Sequence, residues 1–215
     1  KHRTCFGPQW IKTFGLTEYE AECMELWLSI NLYSITRGIN RFKGLALALA
    51  EVEKRGLGNI EGLAEYEAWT KEAKELSNPA LLAVTQKSDN PCFEKALLWS
   101  IRTNRAIHAL PAEDRPFPNV KSAMDAMAKQ ADLANREAVE AEWGRHHLAE
   151  DCSTLLTQEA GTKAFCIGEL RKMGYEPGRI LMVGDAPGDR DAAEKNGVRF
   201  YPILVGHEGE SWKRL

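Results

Sequence analysis

The sequence lacks the usual marks of a secreted, zinc-binding or membrane-spanning protein. Its five cysteines, Cys5, Cys23, Cys92, Cys152 and Cys166, are odd in number and scattered, with no C-x-x-C pair and no Cys/His ligand spacing. That pattern argues against a disulfide framework or a zinc site and fits a reducing, cytoplasmic setting. No apolar run is long enough to cross a bilayer, and no signal-peptide pattern stands at the start. Internal repeats, low-complexity tracts and basic blocks are absent, and 28 Lys+Arg against 31 Asp+Glu leave a formal net charge of -3. Neither nucleic acid nor a membrane surface is an expected partner on that balance. The 215 residues suffice for one large domain, or a core with a modest insert, around a real hydrophobic core.

What is present divides into two halves. From about Trp10 to His108 the pattern is helical. Cys23, Leu26, Trp27 and Ile30 repeat near 3.6 within a helix over 18–33, and Gly44 to Arg55 is rich in Ala and Leu. Helices are expected over Leu63–Leu76 and Pro91–Ala109, the latter with Asn90 as cap and proline in the first turn. No strand is expected here, and Lys1 to Pro8 reads as loop. The proline-rich stretch Leu110 to Pro118 marks a boundary. Beyond it, helices expected over 119–129, 135–143 and 163–173 alternate with short apolar segments at 151–155, 179–184 and 199–205. Alternation of this kind means a parallel sheet with crossover helices. The expected fold is therefore α/β, a Rossmann-like parallel sheet with helices on both faces, plus an all-helical domain. Residues 1–114 form the helical part and 115–215 the α/β core.

The most informative stretch runs from Arg179 to Ala193. Ile-Leu-Met-Val, ending abruptly in Gly184-Asp185, reads as a buried parallel strand that delivers a carboxylate at its C-terminal tip, where open α/β sheets keep their chemistry. Pro187 and Gly188 turn the chain, and Asp189 follows at the start of an alanine-rich helix. Two carboxylates facing one space suit Mg²⁺, which takes one or two of them along with waters and a substrate phosphate oxygen. The same residues would also serve an ordinary strand-to-helix turn with Asp189 as N-cap.

These residues resemble the haloacid-dehalogenase superfamily of phosphotransferases, in the branch with a helical cap inserted after the first strand. Arg115-Pro116-Phe117-Pro118-Asn119-Val120 is similar to the family's return from cap to core, usually Pro-Gly-Val. Lys163, after Gly161-Thr162, resembles its third motif, and Gly184-Asp185-Ala186-Pro187-Gly188-Asp189-Arg190-Asp191-Ala192-Ala193 its fourth. The resemblance implies a Mg²⁺-dependent phosphatase acting on a small phosphorylated metabolite through an aspartyl-phosphate. In it Asp185 and Asp189 are metal residues, Lys163 is a catalytic point charge, and the cap gates the substrate. The alternatives are a non-catalytic binding or regulatory protein on the same fold and, more remotely, a haloacid dehalogenase.

Two family features are missing. The first motif, Asp-x-Asp-x-Thr or Val, occurs nowhere in the sequence and is expected upstream of Lys1. The second, a Ser or Thr at a strand tip, should lie just before Asn135. There Ala131-Asp132-Leu133-Ala134 leaves too little chain for a strand and its turn, so residues are expected to be absent between Ala134 and Asn135.

In the helical half, Arg37, Arg41 and Lys43 lie in a glycine-flanked segment, Thr36 to Gly44, expected to be a loop. Such basic groups could hold the distal end of a substrate or simply be solvated. Trp10, Trp27, Trp69 and Trp99 are expected in the core, His146-His147 as a surface pair, Asp191 exposed, and His2 and Arg3 near the site. Oligomeric state is left open.

Overall fold

The computed structural model describes residues 1–110, 115–127, 130–132, 143–148, 150, 152–155 and 161–215. Its contacts separate into two compact units, Lys1–Pro111 and Ala112–Leu215.

The first unit is helical throughout. Instead of a loop, the chain opens with a π-helical turn at His2–Phe6, continued without a break by α1 at Gly7–Phe14. The reason is packing: Cys5 is buried and Phe6 lies against Trp27 and Trp99. α2 (Glu20–Leu28) is followed by a second π-helical turn at Ser29–Tyr33. α3 (Arg41–Lys54), α4 (Leu63–Glu72), α5 (Asn78–Thr85) and α6 (Pro91–His108) complete the unit. Three of these begin on a side-chain cap: Asn40 accepts from the Phe42 N–H, Ser77 from Ala80 and Asn90 from Cys92. Each satisfies a donor that the helix itself leaves orphaned.

The core of this unit is aromatic. Trp10, Trp27 and Trp99 are fully buried, with Trp27 5.4 Å from Trp10 and 5.6 Å from Trp99 between ring centroids. Phe42 extends the cluster edge-on to Trp69 at 5.8 Å, and the buried Tyr66 hydroxyl donates to the Phe42 carbonyl at 3.2 Å. Trp69 is only partly buried. Gly44 sits inside α3 because a Cβ there would press on the buried Asn31 side chain.

The second unit is α/β with parallel strands. β1 (Gln130–Asp132) pairs with β2 (Cys152–Leu155), and β3 (Leu181–Gly184) with β4 (Arg199–Pro202). Among the described residues the two pairs share no ladder. The helices are α7 (Val120–Ala126), α8 (Lys163–Lys172), α9 (Pro187–Asn196) and α10 (Glu208–Arg214). Val120, Met124 and Leu148 form one small apolar cluster, and Ile167, Ile180 and Ala192 another. The helix expected at 135–143 and the junction of Ala134 with Asn135 lie outside the described residues.

Two strand expectations need correction. β3 starts at Leu181 rather than Arg179, because Pro177–Arg179 forms a 3₁₀ turn whose proline suits a helical start. The strand is also not fully buried: Leu181 is 41% exposed. Among the described residues it has a paired neighbour on the β4 edge only. β4 ends at Pro202, which has no N–H to donate onward.

Candidate functional site

The strand β3 ends on Gly184, and the Ile203 N–H donates to the Gly184 carbonyl at 2.8 Å, so pairing runs to the tip. Asp185 follows immediately and is exposed. Ala186 is the N-cap of α9, Pro187 occupies its first turn, and Asp189 is its third residue. Asp189 is therefore not the cap. Its side chain reaches back, with Oδ2 accepting the Ala186 N–H at 3.0 Å, and it is 2% exposed. A carboxylate at this place satisfies an orphan donor and complements the positive end of the helix. Gly184 makes room for it, since a Cβ at 184 would collide with the Asp189 carboxylate.

The other oxygen, Asp189 Oδ1, accepts from the Lys163 ammonium. Lys163 is the first residue of α8, whose N-cap Thr162 accepts the Phe165 N–H at 3.2 Å. Gly161 precedes the cap with φ 142, a backbone angle at which a side chain would strike the Phe165 ring. At its N-terminal turn α8 is tied to α9 by the Asn196 amide, which donates at 2.9 Å to both the Ala164 and Ala192 carbonyls. A carboxylate buried in this way is held by a charge and a backbone donor together, the condition under which burial of an ion is tolerated. The Lys163 side chain is 45% exposed, so its other N–H donors remain open to solvent or to an anion.

The structure thus brings Lys163 and Asp189 together, with Asp185 at the adjoining strand tip. The donor set is two carboxylates, Asp185 exposed and Asp189 buried. Among the described residues no group of three or more His, Cys, Asp or Glu is arranged to hold a metal. Two carboxylates with water would nonetheless suit Mg²⁺, which keeps much of its hydration shell. Asp191 is exposed, 55% at its side chain, and takes no part. Of the His146-His147 pair, His147 is exposed with Nδ1 2.7 Å from Glu150 Oε1, and His146 is partly buried.

In the helical unit the basic segment is not a continuous loop. Asn40 caps a helix that starts at Arg41, so only Arg37 lies in a turn, while Arg41 and Lys43 belong to the first turn of α3. Two residues apart on a helix, they face different ways. Lys43 is exposed, whereas the Arg41 side chain turns inward. Its Nη1 donates to Asn104 Oδ1 at 2.7 Å and to Ser100 Oγ at 3.3 Å, and its Cζ lies 5.1 Å from the centre of the Phe6 ring. Burial lowers its pKa. Arg37 Nη1 donates to the Leu32 carbonyl at 3.0 Å.

His2 stacks on Phe6 at 4.8 Å, and its Nδ1 accepts from Trp27 Nε1 at 3.3 Å. Burial, reinforced by the positive charges of the Lys1 amine, Arg37 and Arg41, pushes its pKa from 6.5 down to about 4. Ser100 and Asn104 were not singled out in the sequence. The available signal was their i, i+4 spacing on the face of α6 that carries the buried Ala96, Trp99 and Thr103. No model of a known protein family matches the chain, and no curated protein matches it.

Proposed function

We propose that this chain is a haloacid-dehalogenase-type hydrolase of the helical-cap branch, a cytoplasmic Mg²⁺-dependent phosphatase acting on a small organic phosphate monoester. The observation that carries the reading is the constellation at the tip of β3: Asp185 exposed beyond Gly184, with Asp189 buried and clamped by Lys163. A merely solvated lysine would not seek out the one buried carboxylate of a neighbouring helix. Two further observations agree. Asn119 has φ 70, the left-handed angle that glycine adopts readily, and it stands where the family pattern Pro-Gly-Val has its glycine. The two separate parallel pairs, β1 with β2 and β3 with β4, also suit a doubly wound sheet in which a further strand would lie between them.

In such an enzyme an aspartate oxygen attacks phosphorus, the bond to the leaving alcohol breaks as a general acid protonates it, and water then hydrolyses the aspartyl-phosphate. The attacking and proton-donating residues belong to the Asp-x-Asp-x-Thr/Val pattern that these 215 residues do not contain. The residues present supply the electrostatics. Lys163, oriented by Asp189, would offer its remaining N–H donors to the nucleophile and a phosphoryl oxygen. Asp185 would hold Mg²⁺, with Asp189 behind it. When bound, the ion would screen repulsion between two anionic reactants.

The test is hydrolysis of p-nitrophenyl phosphate by the full-length protein with and without Mg²⁺, alongside Asp185→Ala. Turnover that requires Mg²⁺ and is lost in the variant supports the reading. No turnover of this ester or of a panel of sugar, nucleotide and acid phosphates would favour a non-catalytic binding role.

A further inference from the structure

The helical unit holds a positive charge that nothing inside it neutralises. Arg41 is removed from water enough to depress its pKa, burial being the cause. Its hydrogen-bond partners, Ser100 and Asn104, are neutral, and the same is true of the Phe6 ring beneath it. Among the described residues no carboxylate lies within ion-pair range of it, and every residue of this unit up to Leu110 is described. A desolvated guanidinium without a counter-ion is costly, which is why such groups are normally paired.

The surrounding donors point the same way. Both side-chain hydrogen bonds of Arg41 leave from Nη1, so Nε–H and the two Nη2 protons donate to none of the described residues. Asn104 uses Oδ1 to accept from Arg41, and its amide N–H₂ likewise donates to none of them. His2 accepts from Trp27 through Nδ1, so the neutral ring carries its proton on Nε2, a third donor. Arg41, Asn104, His2 and Phe6 are all only partly buried, so solvent reaches each of them. Together these groups offer donors, the Arg41 charge and an aromatic ring, and among the described residues no carboxylate pairs with Arg41.

We infer that the helical unit carries an oxyanion-binding site, built on the Arg41 guanidinium with the Asn104 amide and the His2 ring beside it, for the carboxylate or phosphate group of a small molecule. Guanidinium forks match both oxyanions bidentately, and charge-assisted bonds in a partly dry site are the strong ones. Ser100 positions Arg41: its hydroxyl donates to Asn78 Oδ1 at 2.7 Å, leaving its lone pairs for the guanidinium. The site lies wholly within the first unit and requires neither turnover nor Mg²⁺, so its failure and that of the phosphatase reading are separable.

The experiment is a titration of the full-length protein, without Mg²⁺, with malonate, inorganic phosphate and chloride at matched ionic strength. It follows tryptophan fluorescence, which the Trp27 to His2 bond couples to the site, and the thermal midpoint. Saturable changes with malonate or phosphate but not chloride are expected, at least tenfold weaker in Arg41→Met and unchanged in Lys71→Ala, which removes an exposed charge on α4. The stronger of the two oxyanions identifies the group. Arg41→Met is also expected to raise the unliganded melting temperature. If that variant does not fold, Asn104→Asp serves instead: it supplies an internal counter-ion and should raise the midpoint while abolishing the anion response. Absence of a saturable response in the unmutated protein, or an undiminished one in Asn104→Asp, would overturn the inference.

Discussion

The ammonium of Lys163, at the first position of one helix, is bonded to the Asp189 carboxylate at the third position of another, and the two ends differ sharply in exposure: 45% for the lysine side chain, 3% for the aspartate. The pair is thus a buried anion served by a half-wet cation. Removing the cation strands the anion, whereas removing the anion merely releases a lysine into water.

The asymmetry predicts the ranking of variants. Lys163→Met should cost about 1–2 kcal/mol in urea unfolding, below the range for fully buried pairs because the lysine is partly hydrated. Asp189→Asn should cost less, since the amide oxygen can still accept the Ala186 N–H. The double variant should lose well less than the sum of the two single losses, because no buried anion is then left stranded. Strict additivity would mean that the contact carries no coupling.

Gly184→Ala should damage the site more than its single methyl suggests. Its Cβ would meet the carboxylate of Asp189, which has no room to retreat because it is itself buried. Phosphatase activity, where present, should fall at least tenfold, with a loss of roughly 1–3 kcal/mol from overpacking. Wild-type activity and stability in this variant would refute the tight approach of strand tip and helix.

His2 makes the helical unit acid-sensitive. Its folded pKa of about 4 lies below the ordinary 6.5. Between those values the unfolded chain takes up a proton that the folded chain refuses, so stability declines as pH falls through that window and levels off below it. Carboxylates also titrate near the lower end, so the informative quantity is a difference. The fall in urea midpoint between pH 7 and pH 4.5 should be smaller in His2→Gln than in the unmutated protein. Equal falls would show that His2 is not the group responsible.

Thr103 carries a buried hydroxyl with no hydrogen-bond partner among the described residues, close in sequence to the Arg41 acceptors on α6. Replacing an unsatisfied polar group by an apolar one of the same shape removes a desolvation cost. Thr103→Val should therefore raise stability, by up to about 1 kcal/mol. A loss of that size in thermal or urea unfolding would mean that the hydroxyl is bonded after all.

Much of this was legible because local chemistry and tertiary context agreed. Asn90 before Pro91, Thr162 before Lys163 and the abrupt Gly184-Asp185 each announce an element boundary through a group that needs a partner. The failures share another cause. The opening helical turns have no cap signal and exist because Cys5 and Phe6 pack into the aromatic core. α5, with Ser77 as cap and Pro79 in its first turn, is only eight residues long, too short for periodicity to register. The inward turn of Arg41 could not be read either, since its partners lie 59 and 63 residues away. Spacing alone could place Asp185 near Asp189, but not decide which would be buried.

The Asn196 amide, bonded to one carbonyl on α8 and one on α9, gives the Lys163 to Asp189 contact a second rung. Two helices joined at two levels, with a side chain from each in one ion pair, move as a single plank. The rotational freedom of the Lys163 stem is then surrendered when the chain folds and not when an anion arrives. An anion reaching this end of β3, as the proposed function requires, would meet a charge already aimed, with no slow rearrangement of the lysine between encounter and engagement.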